Sequence, residues 1–297
     1  MSKPASQPDQ TIAFQGALGA YSDLACRQRF PEMTPLPCRS FEDMFNAVTS
    51  GRARLAMIPI ENTIAGRVAD IHRLIPGSGL KIIGEHFARV RHQLLAMPGV
   101  KPEDVKTVHS HVHALGQCGK IIAELGATAV IEADTAGSAA MLAEGKQRDR
   151  AVIASSLAAE TYGLEIIAAD IEDADHNTTR FVIMTKDENV GSLPSADDMV
   201  EITPNIVTSF VFRVRNIPAA LYKALGGFAT NGVNMTKLES YMLNGDFVAT
   251  QFYADIEGHP DDRLVALALE ELNFFAAELN IMGVYEAHPY RYQNRSD

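Results

Sequence analysis

The chain has 297 residues, 46% of them hydrophobic and 21% charged, with a formal net charge of -11. That length gives room for more than one domain and a sizeable core, while the acidic balance excludes a nucleic-acid backbone as partner, because phosphate binding needs clustered Lys and Arg. The cysteines Cys26, Cys38 and Cys118 form no CxxC pair, which argues against disulfides and structural zinc and for a reducing, cytoplasmic compartment.

In chain order, residues 1–10 are polar and carry two prolines, so they read as a disordered tail and not as a secretory signal. The apolar stretch Thr11-Ile12-Ala13-Phe14 predicts a strand; Gly16 to Ser22 forms a glycine turn, and a helical pattern follows through Leu24 and Arg29. A helix N-terminus behind a glycine turn presents free N–H groups to an anion, but the third glycine and downstream acid of a dinucleotide site are missing.

The layout recurs. Leu55 to Ile60 predicts a strand, Glu61-Asn62-Thr63-Ile64-Ala65-Gly66 a turn and Val68 to Ile75 a helix. Thr107-Val108 leads through Ser110-His111-Val112-His113 to a helix reaching Leu125; Ala129 to Ala133 leads through Asp134-Thr135-Ala136-Gly137-Ser138 to a helix from Ala139; Ala151 to Ala154 leads through Ser155-Ser156 to a helix from Leu157 to Tyr162. Repeated strand-to-helix turns rich in Ser, Thr, Asn and Gly imply a mostly parallel α/β sheet with helix N-termini gathered on one side, where a ligand is expected. The spacing predicts two lobes, about 11–90 with 175–187 and about 91–174, with the binding site in the cleft between them.

The densest polar cluster is Asp175-His176-Asn177-Thr178-Thr179-Arg180-Phe181, immediately before the apolar run Val182-Ile183-Met184. Arginine offers a planar fork to a carboxylate, and the threonine hydroxyls can donate to an oxygen. The competing reading is a self-capped turn followed by a surface Arg.

Residues 188–205, with Gly191, Pro194 and Pro204, read as an exposed linker. Beyond it the pattern predicts strand Ile206 to Val214, helix Ala220 to Phe228 behind Pro218, strand Val233 to Tyr241, a turn at Asn244-Gly245-Asp246, strand Phe247 to Ile256, helix Asp262 to Leu279 and strand Ile281 to Glu286. This βαββαβ order is a ferredoxin-like unit over 206–286, followed by a tail over 287–297. The apolar stretch from Leu264 to Val284 is interrupted by Glu270, Glu271, Asn273 and Glu278, which suits an amphipathic helix and not a membrane span.

Other constellations are weaker. His109, His111 and His113 alternate as metal ligands would on a strand, but no carboxylate or cysteine completes a set, so no metal is assigned. Glu61 stands in an apolar corner where partial burial would permit acid catalysis, and pairing with a neighbouring helix N-terminus accounts for it equally well. Neither Ser22 nor Ser155 lies in a GxSxG elbow.

Taken as a set, Thr179-Arg180-Phe181 behind Asn177, the opening Phe14 to Ser22, the corner Pro59-Ile60-Glu61-Asn62-Thr63, the turn Ser110 to Leu115 and the run Ile153 to Ala159 resemble the signature blocks of the prephenate dehydratases. Pro218-Ala219-Ala220-Leu221 and Lys237-Leu238-Glu239-Ser240 resemble an ACT domain. The resemblance spans about residues 11–286 and implies a catalytic domain of two α/β lobes, like a type II periplasmic-binding-protein fold, joined to an amino-acid-sensing ACT domain. It implies a lyase converting prephenate to phenylpyruvate, with Thr179 and Glu61 as catalytic residues and Arg180, Phe181, Asn177, Tyr21, Ser22, Asn62, Thr63, Ser110, Thr135 and Ser155 binding substrate. L-phenylalanine is the implied effector, held by Pro218, Ala219, Ala220, Leu221, Asn231, Asn234, Glu239 and Ser240 in a homodimer or homotetramer. No cofactor, metal, nucleic acid or membrane is implied. The alternatives are an arogenate dehydratase and a non-enzymatic amino-acid sensor or solute-binding module. Departures from the family pattern include Ala219, where glycine is usual, and Tyr241-Met242, where Arg-Pro is usual.

Overall fold

A computed structural model of the chain describes residues 7–186, 188, 205–215, 217–242 and 249–293. The expected first residues of the N-terminal tail, most of the linker and the Asn244-Gly245-Asp246 turn lie outside the described residues. The chain runs β1 (Thr11–Gln15), α1 (Tyr21–Arg29), β2 (Thr34–Cys38), α2 (Phe41–Thr49), β3 (Leu55–Asn62), β4 (Gly66–Arg67), α3 (Ala69–Leu74), β5 (Lys81–Arg89), β6 (Gln93–Ala96) and β7 (Thr107–His111). It continues with α4 (Val112–Gln117), α5 (Gly119–Glu124), β8 (Thr128–Glu132), α6 (Thr135–Gly145), β9 (Arg150–Ala154), α7 (Ser156–Tyr162), β10 (Glu165–Ala168) and β11 (Thr178–Thr185). The last part is β12 (Ile206–Val214), α8 (Ala220–Thr230), β13 (Met235–Met242), β14 (Ala249–Glu257), α9 (Arg263–Phe275), β15 (Ala276–Glu286) and α10 (Tyr290–Gln293). None of the helices in the described residues is long and apolar enough to cross a membrane.

Two compact units result, residues 1–68 with 87–181 and residues 69–86 with 182–297. In the first, β1 lies between β2 and β3 and is parallel to both, with Ile12 opposite Pro35 and Leu55. A second sheet has the order β10-β6-β9-β7-β8, in which β7 is parallel to its neighbours and β6 antiparallel to its own. Strands β6 and β9 carry apolar residues on both faces because both are covered. Leu94, Ala96, Ala151 and Ile153 pack with residues of α4 and α5, and Leu95, Val152 and Ala154 with residues of α6 and α7.

The helix expected to run to Leu125 is instead two, broken at Cys118. The Asp173 carboxylate accepts from the amides of Gly119 (3.0 Å) and Lys120 (3.3 Å), and the Asp173 amide donates to the Gln117 carbonyl (2.7 Å). An acid at a new helix start satisfies otherwise orphaned N–H groups, and the break leaves Gln117 at the end of α4.

In the second unit the strand order is β13-β14-β12-β15-β5, antiparallel except where β15 meets β5. A side chain at Gly283 would collide with the Ile82 carbonyl, so only glycine fits this crossing. Phe210, Phe212, Phe228, Phe252 and Leu272 form a core between this sheet and helices α8 and α9. The observed order β12-α8-β13-β14-α9-β15 is βαββαβ. Helix α9 stops at Phe275, short of the expected Leu279, because Ala276 and Glu278 pair with Val214 and Arg213 of β12; the ladder outweighs the helical propensity of Ala-Ala-Glu-Leu. Arg291 of α10 binds both oxygens of buried Glu85 (2.6 and 2.8 Å) and lies 3.7 Å from buried Asp255. Asp255 also accepts from the Ser209 hydroxyl at 2.5 Å.

Candidate active site

The polar cluster before β11 is held in place by the turn that leaves β3. The Thr63 amide donates to the Thr178 carbonyl (3.0 Å), the Thr63 hydroxyl donates to the His176 carbonyl (2.6 Å) and accepts from the Thr178 amide (2.9 Å). Asn62 closes its own turn, its Oδ1 accepting from the amides of Ile64 and Ala65. Its Nδ2 then points across to β11 and donates to Asn177 Oδ1 (2.8 Å) and Thr179 Oγ1 (2.9 Å). Since Thr179 Oγ1 accepts from Asn62, its own hydrogen is directed elsewhere.

Strand alternation puts Thr179 and Phe181 on one face and Thr178 and Arg180 on the other. Phe181 is a core side chain, 1% exposed. Arg180 is buried as well, and its Nη1 donates to Glu61 Oε1 at 2.9 Å. Glu61 is partly exposed. The corner carboxylate and the arginine fork thus meet each other, and Glu61 anchors the guanidinium.

A second row of side chains converges on Gln117. Its Oε1 accepts from Asn177 Nδ2 (2.8 Å) and is 2.8 Å from His92 Nε2. His92 Nδ1 lies 2.7 Å from the Tyr21 hydroxyl, and the two rings meet edge to face. His92 is 2% exposed; burial lowers its pKa, against smaller upward effects of Gln117 and Glu172. Burial also holds the Tyr21 hydroxyl well above its ordinary value, with Cys118 and Glu172 acting in the same direction. Thr179, Asn62, Asn177, Gln117, His92 and Tyr21 therefore form one continuous chain of contacts.

Other expected site residues have mainly structural partners. The Ser110 hydroxyl is buried and donates to the Ile153 carbonyl (2.7 Å). Ser155 caps α7, accepting from the Ala158 amide (3.0 Å) and donating to the Gly19 carbonyl (2.5 Å). Gly19 has φ +84, and a Cβ there would stand 2.8 Å from the Ala158 Cα. Ser22 lies in the first turn of α1, and Thr135 opens α6, whose cap is the neighbouring Asp134. Of the alternating histidines, His109 pairs with Glu132 at 2.8 Å, while His111 caps α4 and accepts from the His113 amide. The described residues contain no group of three or more side chains arranged to hold a metal.

Residues 12–189 match the family described as prephenate dehydratase. The chain belongs to the prephenate dehydratase family. A bifunctional N-acyl-homoserine lactone acylase/prephenate dehydratase from Komagataeibacter europaeus is 52% identical, over 95% of this chain and 98% of that protein. An arogenate dehydratase/prephenate dehydratase of Arabidopsis thaliana is 35% identical, over 92% of this chain and 72% of its own. The crystal structure of prephenate dehydratase from Arthrobacter aurescens in complex with L-Phe matches with a TM-score of 0.80 and 32% identity, covering 93% of this chain and 90% of that one. The chain is thus a lyase of the prephenate and arogenate dehydratase family, built as α/β with two sheets.

Within this family member, Gln117 and His92 are the members of that chain of contacts that sequence reasoning missed. The available signal was Gly116 and Gly119 flanking Gln117, which mark a helix break. The residues expected to bind an effector are not gathered in one place. Pro218 and Ala219 precede α8, whereas Asn231 and Asn234 follow it, so an 11-residue helix separates the two groups by roughly 16 Å at about 1.5 Å per residue. Ala220 is buried in the core, and Leu221 packs against it. Asn231 donates to the Gly227 carbonyl and Asn234 to Glu257, while Glu239 sits 3.4 Å from Lys237 and Ser240 is exposed on β13.

Proposed function

We propose that the chain is a prephenate dehydratase, releasing carbon dioxide and the ring hydroxyl from prephenate to leave phenylpyruvate, regulated by phenylalanine. Breaking the ring-to-carboxylate bond supplies the electron pair that expels the hydroxyl, and aromatisation drives the step. The protein must therefore orient the substrate and place donors on the departing oxygen, which leaves as water once it gains a proton. The observation that carries the reading is the polarity of the Thr179-to-Gln117 row: Thr179 Oγ1 and Gln117 Oε1 both accept within it, which leaves the Thr179 hydrogen and the Gln117 amide hydrogens as donors for a ligand. A threonine hydroxyl is a weak acid, so its role is a donor aimed at developing negative charge. Arg180, anchored by Glu61, supplies positive charge to a substrate carboxylate, and Phe181 backs Thr179 with apolar core.

Turnover of prephenate and arogenate by the purified full chain tests this. Faster turnover of prephenate is expected; a preference for arogenate would reassign the substrate, and inactivity on both would favour the sensor. The 52% identity to a protein named as a bifunctional acylase supports a second reading, N-acyl-homoserine lactone cleavage, to be assayed by release of the free acid. Regulation is supported by the βαββαβ unit and by the L-Phe complex of the Arthrobacter aurescens relative. The two separated groups of effector residues would meet only across a second copy of the unit, which is the basis for expecting a homo-oligomer. Ala219 and Tyr241-Met242 weaken such a site by about 1 to 3 kcal/mol, so phenylalanine should bind less tightly than in relatives with Gly and Arg-Pro there. Calorimetric titration of the intact chain with phenylalanine, alongside an inhibition curve, checks this; inhibition without any binding heat would move the effector to the substrate site.

A further inference from the structure

Gln117 can serve as a donor only if its amide is oriented with nitrogen toward the ligand, and nothing in its own backbone position at the end of α4 imposes that. An amide rotated by half a turn fills the same volume and presents an acceptor instead of a donor. The orientation is set by what surrounds Oε1. One neighbour is Asn177 Nδ2 at 2.8 Å, whose own direction follows from Asn62 donating to Asn177 Oδ1. The other is His92 Nε2, also at 2.8 Å.

An imidazole nitrogen can donate or accept, so His92 is informative only if its tautomer is determined. Two contacts determine it. The Tyr21 hydroxyl reaches Nδ1 at 2.7 Å and the Arg91 carbonyl at the longer 3.2 Å, and a phenol that keeps its proton is a donor to the nearer. With Nδ1 accepting, the neutral ring carries its hydrogen on Nε2, facing Gln117. The His92 backbone is itself fixed, because its amide donates to Glu172 Oε2 (2.8 Å) and its carbonyl accepts from Ile171 (2.9 Å). Burial, which favours the neutral imidazole and the protonated phenol, acts in the same sense.

We propose that His92 is a positioning residue for the dehydratase reaction: its Nε2–H locks the Gln117 amide with nitrogen toward the substrate, and Tyr21 locks the tautomer of His92. Tyr21, expected from sequence to contact substrate, then acts two residues removed from it. The inference rests on the dehydratase reading above, and Gln117 is the group through which His92 acts.

The test uses steady-state kinetics on the full chain with replacements that separate the two ring nitrogens. The side-chain nitrogen of glutamine can occupy the place of imidazole Nε2, whereas that of asparagine reaches only the place of Nδ1. His92→Gln should therefore keep kcat near wild type, while His92→Asn and His92→Phe lower it by roughly 10- to 100-fold, with a smaller change in KM. Tyr21→Phe should fall between. In a Gln117→Leu background, His92→Phe should cost nothing further, since the residue it orients is gone. Thermal midpoints of each variant identify any that fail to fold; if His92→Phe does, the comparison of His92→Gln with His92→Asn still decides. Equal losses in His92→Gln and His92→Asn, wild-type kinetics in His92→Phe, or an undiminished His92→Phe effect without Gln117 would overturn the proposal. A wild-type chain inactive on prephenate and arogenate would instead overturn the dehydratase reading.

Discussion

In the proposed reaction Thr179 is the donor to the departing oxygen, because Asn62 occupies its acceptor side and its own hydrogen is directed elsewhere. Replacing it with alanine should lower kcat by roughly 10² to 10³ with little change in KM, the loss typical of one transition-state donor. Near-normal kcat in Thr179→Ala would shift the role to Gln117. Arg180 tests the difference between charge and shape. A lysine keeps the charge but not the planar fork that holds Glu61, which in the proposed function also gives positive charge to a substrate carboxylate. Arg180→Lys should lower kcat/KM more than it lowers the thermal midpoint; a changed midpoint with unchanged kcat/KM would make the residue purely structural.

At the scale of elements, helix α8 begins on a conformational compromise. Ala219, its N-cap, has φ +62, a left-handed backbone that costs a non-glycine residue about 1 to 2 kcal/mol. Ala219→Gly should stabilise the folded chain by about 1 kcal/mol, offset in part by the greater freedom of glycine in the unfolded state. A lowered thermal midpoint in that variant would show that the methyl makes contacts worth more than the strain. Helix α10 is joined to its unit by Arg291, whose guanidinium binds Glu85 and faces Asp255, two fully buried carboxylates. Breaking one partner of a buried pair leaves charge in a poor solvent, so Arg291→Ala should destabilise by about 3 to 5 kcal/mol in denaturant unfolding. A loss within the range of an ordinary surface substitution would mean that water reaches those carboxylates.

For the molecule as a whole, His92 couples the site to global stability. Its folded pKa is lowered by burial, with Tyr21, Gln117 and the carboxylate of Glu172 as the groups facing it. The unfolded chain therefore binds this proton more readily than the folded one between the two pKa values. Stability from this residue is fully present above the ordinary histidine value of about 6.5 and declines as pH falls from there toward the folded value. The thermal midpoint of wild type should fall across that window more steeply than that of His92→Gln, which has nothing to titrate. Parallel profiles would remove His92 as the cause.

What could be read from sequence was whatever is local. The Asn177-to-Phe181 cluster, the Glu61-Asn62-Thr63 corner and the βαββαβ order are each contiguous, so spacing and turn chemistry were enough to find them. Sequence also singled out Ala219 as a departure, though not its left-handed backbone. What needed the tertiary structure were pairings between distant segments. That Arg180 meets Glu61, that Ser110 and Ser155 donate to backbone carbonyls, and that Gln117 is held between Asn177 and His92 all follow from how strands and broken helices bring separate stretches together. A side chain's type fixes which bonds it is able to make, and sequence shows that much; which of those bonds are already taken, and so which hydrogens remain for a substrate, is decided only when the chain has folded.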